Sequence, residues 1–280
     1  MSDPQYANAE ELAFLKLLTG IQAEDALEAH VRAVQKKALE VYDYPCIQHF
    51  GFLRIKIDKF KPAYQHVLDL GRNVPGALLL DIGCCFGNDL RKLASDGFPV
   101  QNMIASDLRQ DFWDLGHQLF RSTPESFPVA FLAGDAFDPA FLSLEPMLKE
   151  PSPSAAPDLH SLTSLNALRG RLSAIHSASL FHLFSEAAQL QLARKLAGLL
   201  LPRPGSVIFG CHGAQPTKGY VLGTNGRNMF CHSPESWREM WEGEVFETGS
   251  VKVTVHMVNA GRVLNESTDF HMLFWSVTRL

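Results

Sequence analysis

The order of apolar and polar positions divides the chain into two unlike parts. Over residues 9–41 apolar side chains recur at steps of three and four. In EDALEAHVRAVQKKALEV, Leu27, Val31, Val34, Ala38 and Val41 fall on one stripe, which predicts helix with that stripe buried. YDYPCIQHFGFL then breaks the period with Pro45 and a dense aromatic group. A further helix is expected from about Ile57 to Leu70, ending at Gly71. From GALLLDIG onward the period changes. That continuous apolar run predicts a strand buried on both faces, and NMIASD, PVAFLAGD, LSAIHSAS and GSVIFGCH follow as four more strands. SEAAQLQLARKLAGLL, between the last two, reads as a helix capped by Ser185, with Glu186 in its first turn. Leu190, Ala193, Leu196 and Leu200 form its stripe, and Pro202 and Pro204 stop it.

Two further stretches complete the outline. LKEPSPSAAPDLHSLTSLNALRG is rich in Pro, Ser and Ala and reads as a long loop, roughly 150–172, inserted before the fourth strand. At the far end SVKVTVHMV alternates apolar and polar, GRVLNESTD turns, and HMLFWSVTRL closes an antiparallel pair. Strands alternating with helices, ended by a hairpin, make an open α/β sandwich. Residues 1–75 are expected to be a helical, lid-like preface, and residues 76–280 the ligand-binding domain. The preface can cover its own sheet or pair with a neighbour in a homodimer.

Composition narrows the function classes. Apolar residues make up 46% and charged residues 20% of the 280, ordinary globular usage. Thirty acids against 25 bases give a formal net charge of −5, so no polybasic face offers itself to nucleic acid or membrane. Apolar runs such as LAGLLLP are far too short to span a bilayer. MSDPQYANAEELAF lacks the basic-then-apolar layout of a secretory signal. Cys46, Cys84, Cys85, Cys211 and Cys231 contain no CxxC pair, so reduced thiols in the cytoplasm and no metal site are expected.

In such a sheet a ligand sits beyond the carboxyl end of the first strand. The turn there runs Asp81-Ile82-Gly83-Cys84-Cys85-Phe86-Gly87. A dinucleotide fingerprint needs glycine where Cys85 stands, and a phosphate loop needs Gly-Lys-Ser/Thr where Gly87-Asn88-Asp89 supplies an acid. Charge and sterics therefore disfavour phosphate. S-adenosylmethionine carries an ammonium, a sulfonium and a ribose, and acids suit it. Asp81, Gly83 and Gly87 are candidates for its amino-acid tail. Asp107, about 20 residues after Gly87, is the candidate for the ribose hydroxyls. Asp135 is placed for the adenine amino group, with Ala136 and Phe137 beside the base. The alternative is that each aspartate merely caps the element that follows it.

On these residues the sequence resembles class I methyltransferases, whose first motif is D-x-G-x-G-x-G; Cys85 replaces the middle glycine. It is similar, more narrowly, to fungal methyltransferases of terpenoid–polyketide biosynthesis, including carboxyl O-methyltransferases of the austinol and terretonin pathways. YPCIQHFGFLRIKI, LLDIGCCFGNDLRKLASDGFP, ASDLRQDFWDLGHQLF, AGDAFD, IHSASLFHLF and LPRPGSVIFG carry that resemblance, in order, over most of residues 44–210. It implies a Rossmann-like, mostly parallel seven-stranded sheet with a C-terminal antiparallel hairpin. It also implies Asp107, Leu108, Asp135, Ala136 and Phe137 as cofactor contacts. The aromatic segment Tyr44–Phe52 can pack the preface on the sheet or enclose the cofactor, with Tyr44 and Gln48 as polar handles. The substrate class implied is a small, apolar natural product.

Methyl transfer to a carboxylate needs positioning but no base, because that acceptor is already ionised at neutral pH. A hydroxyl acceptor profits from a histidine. His182, beside Phe181 and Phe184, is the candidate for substrate orientation or base work. His212 is a weaker candidate, and His176, inside a strand, is expected to be a packed core histidine. Cys84 and Cys85 are read as small filling residues, and Trp237 with Trp241 as a core face. The rival enzyme reading is a methyltransferase fold recruited for a cyclisation or rearrangement.

Overall fold

A computed structural model describes residues 6–152, 157–222, 228–262 and 269–280. Its elements run α1 (Ala9–Thr19), α2 (Glu24–Val41), α3 (Pro45–Gln48), α4 (Lys61–Asn73), β1 (Leu78–Ile82), α5 (Asn88–Ser95), β2 (Met103–Asp107), α6 (Gln110–Phe120) and β3 (Ala130–Ala133). They continue with β4 (Leu172–Ala178), α7 (Glu186–Leu199), β5 (Val207–Ala214), β6 (Gly219–Leu222), β7 (Asn228–Cys231), α8 (Pro234–Trp241), β8 (Val251–Arg262) and β9 (Asp269–Arg279). The seven-stranded sheet has the order β3-β2-β1-β4-β5-β9-β8; β1 to β5 are parallel, and β9 runs antiparallel between β5 and β8. A separate ribbon pairs β6 with β7. The five expected parallel strands and the terminal pair are all present. The turn at 263–268 and residues 153–156 of the inserted loop lie outside the described residues. Among the described residues no helix is long and apolar enough to cross a membrane.

Alternation along the strands builds two cores. Leu79 of β1 joins one side with Met103, Ala174 and Phe209, while Leu78, Leu80 and Ile82 join the other with Ile104, Ile175 and Ile208. The first core also holds the preface: Leu27, Val31, Val34 and Ala38 of α2 pack with Phe52, Phe86 and Phe112. The preface thus lies on its own sheet. The second core holds α7, α8 and the fully buried Trp237, Trp241 and Trp275, which makes the first two a core face as expected.

Four local expectations need correction. The 9–41 helix is two helices, broken where Gly20 turns left-handed (φ 73°) after α1, which starts with a capping box between Asn8 and Glu11. The next helix starts at Lys61 rather than Ile57, because the Asp89 carboxylate takes the backbone N–H groups of Lys56 (2.7 Å) and Ile57 (3.0 Å) and holds that segment out of the helix. Gly71 does not end it, since α4 continues to Asn73. A side chain at Gly71 would strike the Phe98 ring at 2.5 Å. In α7, capped by Ser185 as expected, Ala193, Leu196 and the C-cap Leu200 are buried as expected, but Leu190 is only half-buried and Gln189 and Leu192 take the inward positions.

Candidate active site

The strand order reverses at β1: β2 and β3 lie to one side of it, β4 and β5 to the other. A crevice opens at such a switch point. Here it deepens into a cavity of about 950 Å³, roofed by residues of the preface and of the β6–β7 ribbon. That volume is near the top of the ~300–1,000 Å³ typical of a small-molecule site, so there is room for two ligands side by side.

On the floor, the β1 turn is shaped by backbone conformation. Gly83 (φ 75°), Cys85 (φ 51°) and Gly87 (φ 71°) are all left-handed. Cys85 bears a strain of roughly 1–2 kcal/mol that glycine there would avoid. Its N–H donates to Asp107 Oδ2 at 2.8 Å, which ties the turn to the end of β2, and Arg109 N–H donates to Asp107 Oδ1 at 3.1 Å. Burial raises the Asp107 pKa, and those two N–H groups draw it back only in part. Gly87 is absent from the cavity wall. It faces Trp113, whose ring would meet a Cβ there at 2.5 Å, so packing rather than a ligand accounts for it. Arg91 anchors the same turn from below, donating to the carbonyls of Phe86 (2.9 Å) and Gly87 (3.3 Å).

Beneath the turn, Asp81 and His176 are register partners on β1 and β4, so their side chains leave the sheet on the same face. Asp81 Oδ1 and His176 Nδ1 are 2.8 Å apart, both buried. Burial opposes charge on His176, yet the Asp81 carboxylate, its hydrogen bond and the more distant Asp89 together raise the imidazole pKa. His176 is therefore a partnered residue under the floor rather than a merely packed one.

Asp135 lies beyond β3, its carboxylate accepting the Phe137 N–H at 2.8 Å. The adjoining loop is pinned from α7, where Lys195 Nζ donates to the Ala136 carbonyl at 2.8 Å and stands 5.6 Å from the Phe137 ring centre. Asp81, Gly83, Asp107, Leu108, Asp135, Ala136, Phe137, Tyr44 and His182 all line the one cavity. Gln48 does not; its amide donates to Asp43 at 2.7 Å on the exposed side of α3. In the Tyr44–Phe52 segment, Phe52 packs the preface against Phe86 with ring centres 4.7 Å apart, as one expectation had it, while Tyr44 lines the cavity.

A floor of carboxylates with a glycine turn fits a ligand that carries positive charge and an amino-acid tail, and repels phosphate. Comparison with known proteins agrees. The meroterpenoid methyltransferase N-terminal domain family matches residues 2–53. O-methyltransferase phiE from a fungal species is 32% identical over 84% of this chain and 71% of its own length. Methyltransferase adrK of Penicillium roqueforti is 32% identical over 86% and 78%. The chain belongs to the fungal meroterpenoid methyltransferase family. The Asnovolin E/Chermesin D methyltransferase nvfJ of Aspergillus novofumigatus aligns over 97% of this chain and 89% of its own at 29% identity. Among solved structures, the 1,6-didemethyltoxoflavin-N1-methyltransferase of Burkholderia thailandensis, bound to 1,6-didemethyltoxoflavin and S-adenosylhomocysteine, shares the fold. Its TM-score is 0.52 and its identity 12%, covering 93% of this chain and 92% of that one.

This methyltransferase takes S-adenosylmethionine as its methyl donor. The same cavity has a largely apolar stretch of wall, formed by Leu180, Leu183, Phe184, Val221, Leu222, Met229, Phe270 and Met272, with Gln215, Asn228 and Asp269 as its polar members. Three of these residues, Val221, Leu222 and Met229, leave no signal in the sequence, because β6 and β7 are short and half-exposed and form no apolar run. Asn225-Gly226, between GYVL and NMF, is the one turn signal available there. His182 is the only imidazole on the cavity wall among the described residues. Its Nδ1 accepts the Gly213 N–H at 3.0 Å. A backbone N–H can only donate, so the neutral ring carries its proton on Nε2. Burial first, and the Lys56 charge second, push the His182 pKa down to about 4. His212 is no candidate: it is buried among Phe181, Trp237 and Trp275, accepting the Trp275 indole N–H at 2.9 Å. Cys84 is buried and Cys85 half-buried, and desolvation raises both thiols well above their usual pKa, so neither is a nucleophile.

Proposed function

We propose that this methyltransferase esterifies a carboxylate of an apolar, meroterpenoid-type small molecule, acting in the cytoplasm. The donor supplies an electrophilic methyl group on sulfur and leaves as S-adenosylhomocysteine. Asp81 and Gly83 receive its amino-acid tail, Asp107 its ribose, and Asp135, Leu108, Ala136 and Phe137 its adenine, while Tyr44 closes over it. The ribbon β6–β7 and the start of β9 enclose the acceptor. All five cysteines are unpaired, which suits a reducing compartment.

The observation that carries the carboxylate assignment is the state of His182. With one ring nitrogen accepting from Gly213 and the other protonated, it has no lone pair to offer a hydroxyl. It can donate a hydrogen bond, and a carboxylate is the acceptor that needs a donor and no base. His182 therefore orients the acid and holds one of its oxygens while the other attacks.

His182→Gln keeps an N–H donor and should retain activity within roughly tenfold, whereas His182→Phe should fall about 10²-fold, the worth of a hydrogen bond to a charged group. For the wild type kcat should stay level across about pH 6–9, because an acid with a pKa near ~4 is fully ionised there. Equal collapse of both variants, with methyl transfer to an alcohol and none to the acid, would mean that His182 is a base and the acceptor a hydroxyl.

A further inference from the structure

Leu192, Ala193 and Leu196 turn into the core from α7, and Gln189 turns in with them, none of its surface exposed. A leucine would complete that face, and an amide buried there costs free energy unless it is bonded. Gln189 Nε2 donates to the carbonyls of Phe184 (3.0 Å) and Phe230 (2.9 Å), while its Oε1 has no partner among the described residues. What the side chain contributes is therefore its pair of N–H donors.

Both accepting carbonyls belong to segments of the cavity wall. Phe184 lines the cavity and ends the turn Phe181–Leu183, which carries His182. Phe230 lies in β7 next to Met229, which also lines the cavity, and pairs across the ribbon with Tyr220. One nitrogen within 3.0 Å of both carbonyl oxygens holds them no more than about 6 Å apart. The β6–β7 ribbon is no part of the seven-stranded sheet, so no ladder fixes it on the body of the protein. Its base is closed by the Gln215 N–H donating to the His232 carbonyl at 3.1 Å. The ion pair of Lys218 with Glu186 (2.9 Å) ties it to α7 in solvent, where such pairs contribute little. The bond from Gln189 is buried. The loop beside Asp135 is held separately, by Lys195 on the Ala136 carbonyl.

We propose that Gln189 is a positioning residue for the acceptor: its amide clasps the His182 turn to the β6–β7 ribbon and so sets the width of the acceptor pocket. This rests on the reading that the ribbon encloses the acceptor, and deepens it by naming what holds that wall against His182. With the clasp closed, the apolar wall and the imidazole donor face the acceptor at one spacing, so skeleton and acid are located together. With the clasp gone, the ribbon has to be ordered at each binding event, which lowers acceptor affinity. The methyl donor, whose contacts lie beyond β1, β2 and β3, is untouched.

The test is calorimetry on the intact chain with two probes. S-adenosylhomocysteine is titrated into the free protein, then farnesoic acid, an apolar terpenoid acid, into the S-adenosylhomocysteine-loaded protein. Gln189→Met keeps the length of the side chain and removes its donors. It should weaken farnesoic acid about tenfold and leave S-adenosylhomocysteine within about twofold. Gln189→Glu, un-ionised when buried, keeps one O–H donor and should weaken farnesoic acid only about threefold. It carries the test alone if Gln189→Met does not fold. Unchanged affinity for farnesoic acid in the variants would overturn the clasp, and so would equal weakening of both probes, the mark of a role in stability alone. Binding of farnesol in place of farnesoic acid by the loaded wild type would sink the ester reading instead, and the clasp is then read from the farnesol affinities. A loaded wild type that takes up neither would sink the acceptor reading of this wall, and the clasp with it.

Discussion

Asp107→Asn is expected to weaken S-adenosylhomocysteine binding by about 10²-fold while leaving the protein folded. Asp107 ends β2 at the cavity, and each of its oxygens already accepts one backbone N–H, from Cys85 and from Arg109. Each oxygen retains a second lone pair, so the carboxylate can take both hydroxyls of a ribose as well. An amide offers one acceptor oxygen and presents N–H groups where the second should be, losing one charge-assisted bond and opposing another donor. Such bonds are worth ~1.5–3 kcal/mol each, which gives the expected factor. Asp107→Ala should add a stability loss of roughly 1–3 kcal/mol, because the Cys85 N–H loses its partner. Calorimetry against S-adenosylhomocysteine, with a thermal melt of each variant, separates the two effects. Unaltered affinity in Asp107→Asn would remove the ribose assignment.

Asp81→Ala should cost about 3–5 kcal/mol of stability, because it leaves His176 buried with no partner for Nδ1. Asp81→Asn should cost less, since its amide oxygen can still accept from the imidazole. The pair also sets a pH dependence. The His176 pKa is raised in the folded state, so the stabilisation is complete below the unfolded histidine pKa of about 6.5 and is lost as pH rises through the folded value. Wild-type unfolding free energy should carry that decline on the alkaline side, and Asp81→Asn should lack it. Urea titrations across neutral pH supply the measurement, and identical slopes in the two proteins would show that His176 stays neutral.

Much of this was legible along the chain because strands buried on both faces leave continuous apolar runs, and an aspartate closing such a run stands at the carboxyl edge of the sheet. Asp81, Asp107 and Asp135 were found that way, and the cavity contains all three. Gly87 shows the limit: a glycine required by the Trp113 ring looks, in sequence, like one required by a ligand. Lys56 and Asp89 were invisible as a pair because 33 residues separate them and the bond joins a side chain to backbone. The tautomer of His182 is set by Gly213, 31 residues away on β5, so no local pattern could choose between orienting donor and base. The β6–β7 ribbon at the cavity wall left no apolar run to find, because its strands are short and Tyr220 and Leu222 on it are more than half exposed.

The most direct test uses S-adenosylmethionine labelled in its methyl group, the purified protein and an apolar terpenoid acid. A methyl ester releases its label as methanol on mild alkaline hydrolysis; an ether or a carbon-bound methyl does not. Alkali-labile label in the product, absent when the acid is replaced by its amide, is the predicted result. Label that survives alkali, or no transfer to any acid under conditions where S-adenosylhomocysteine binds, would contradict the account.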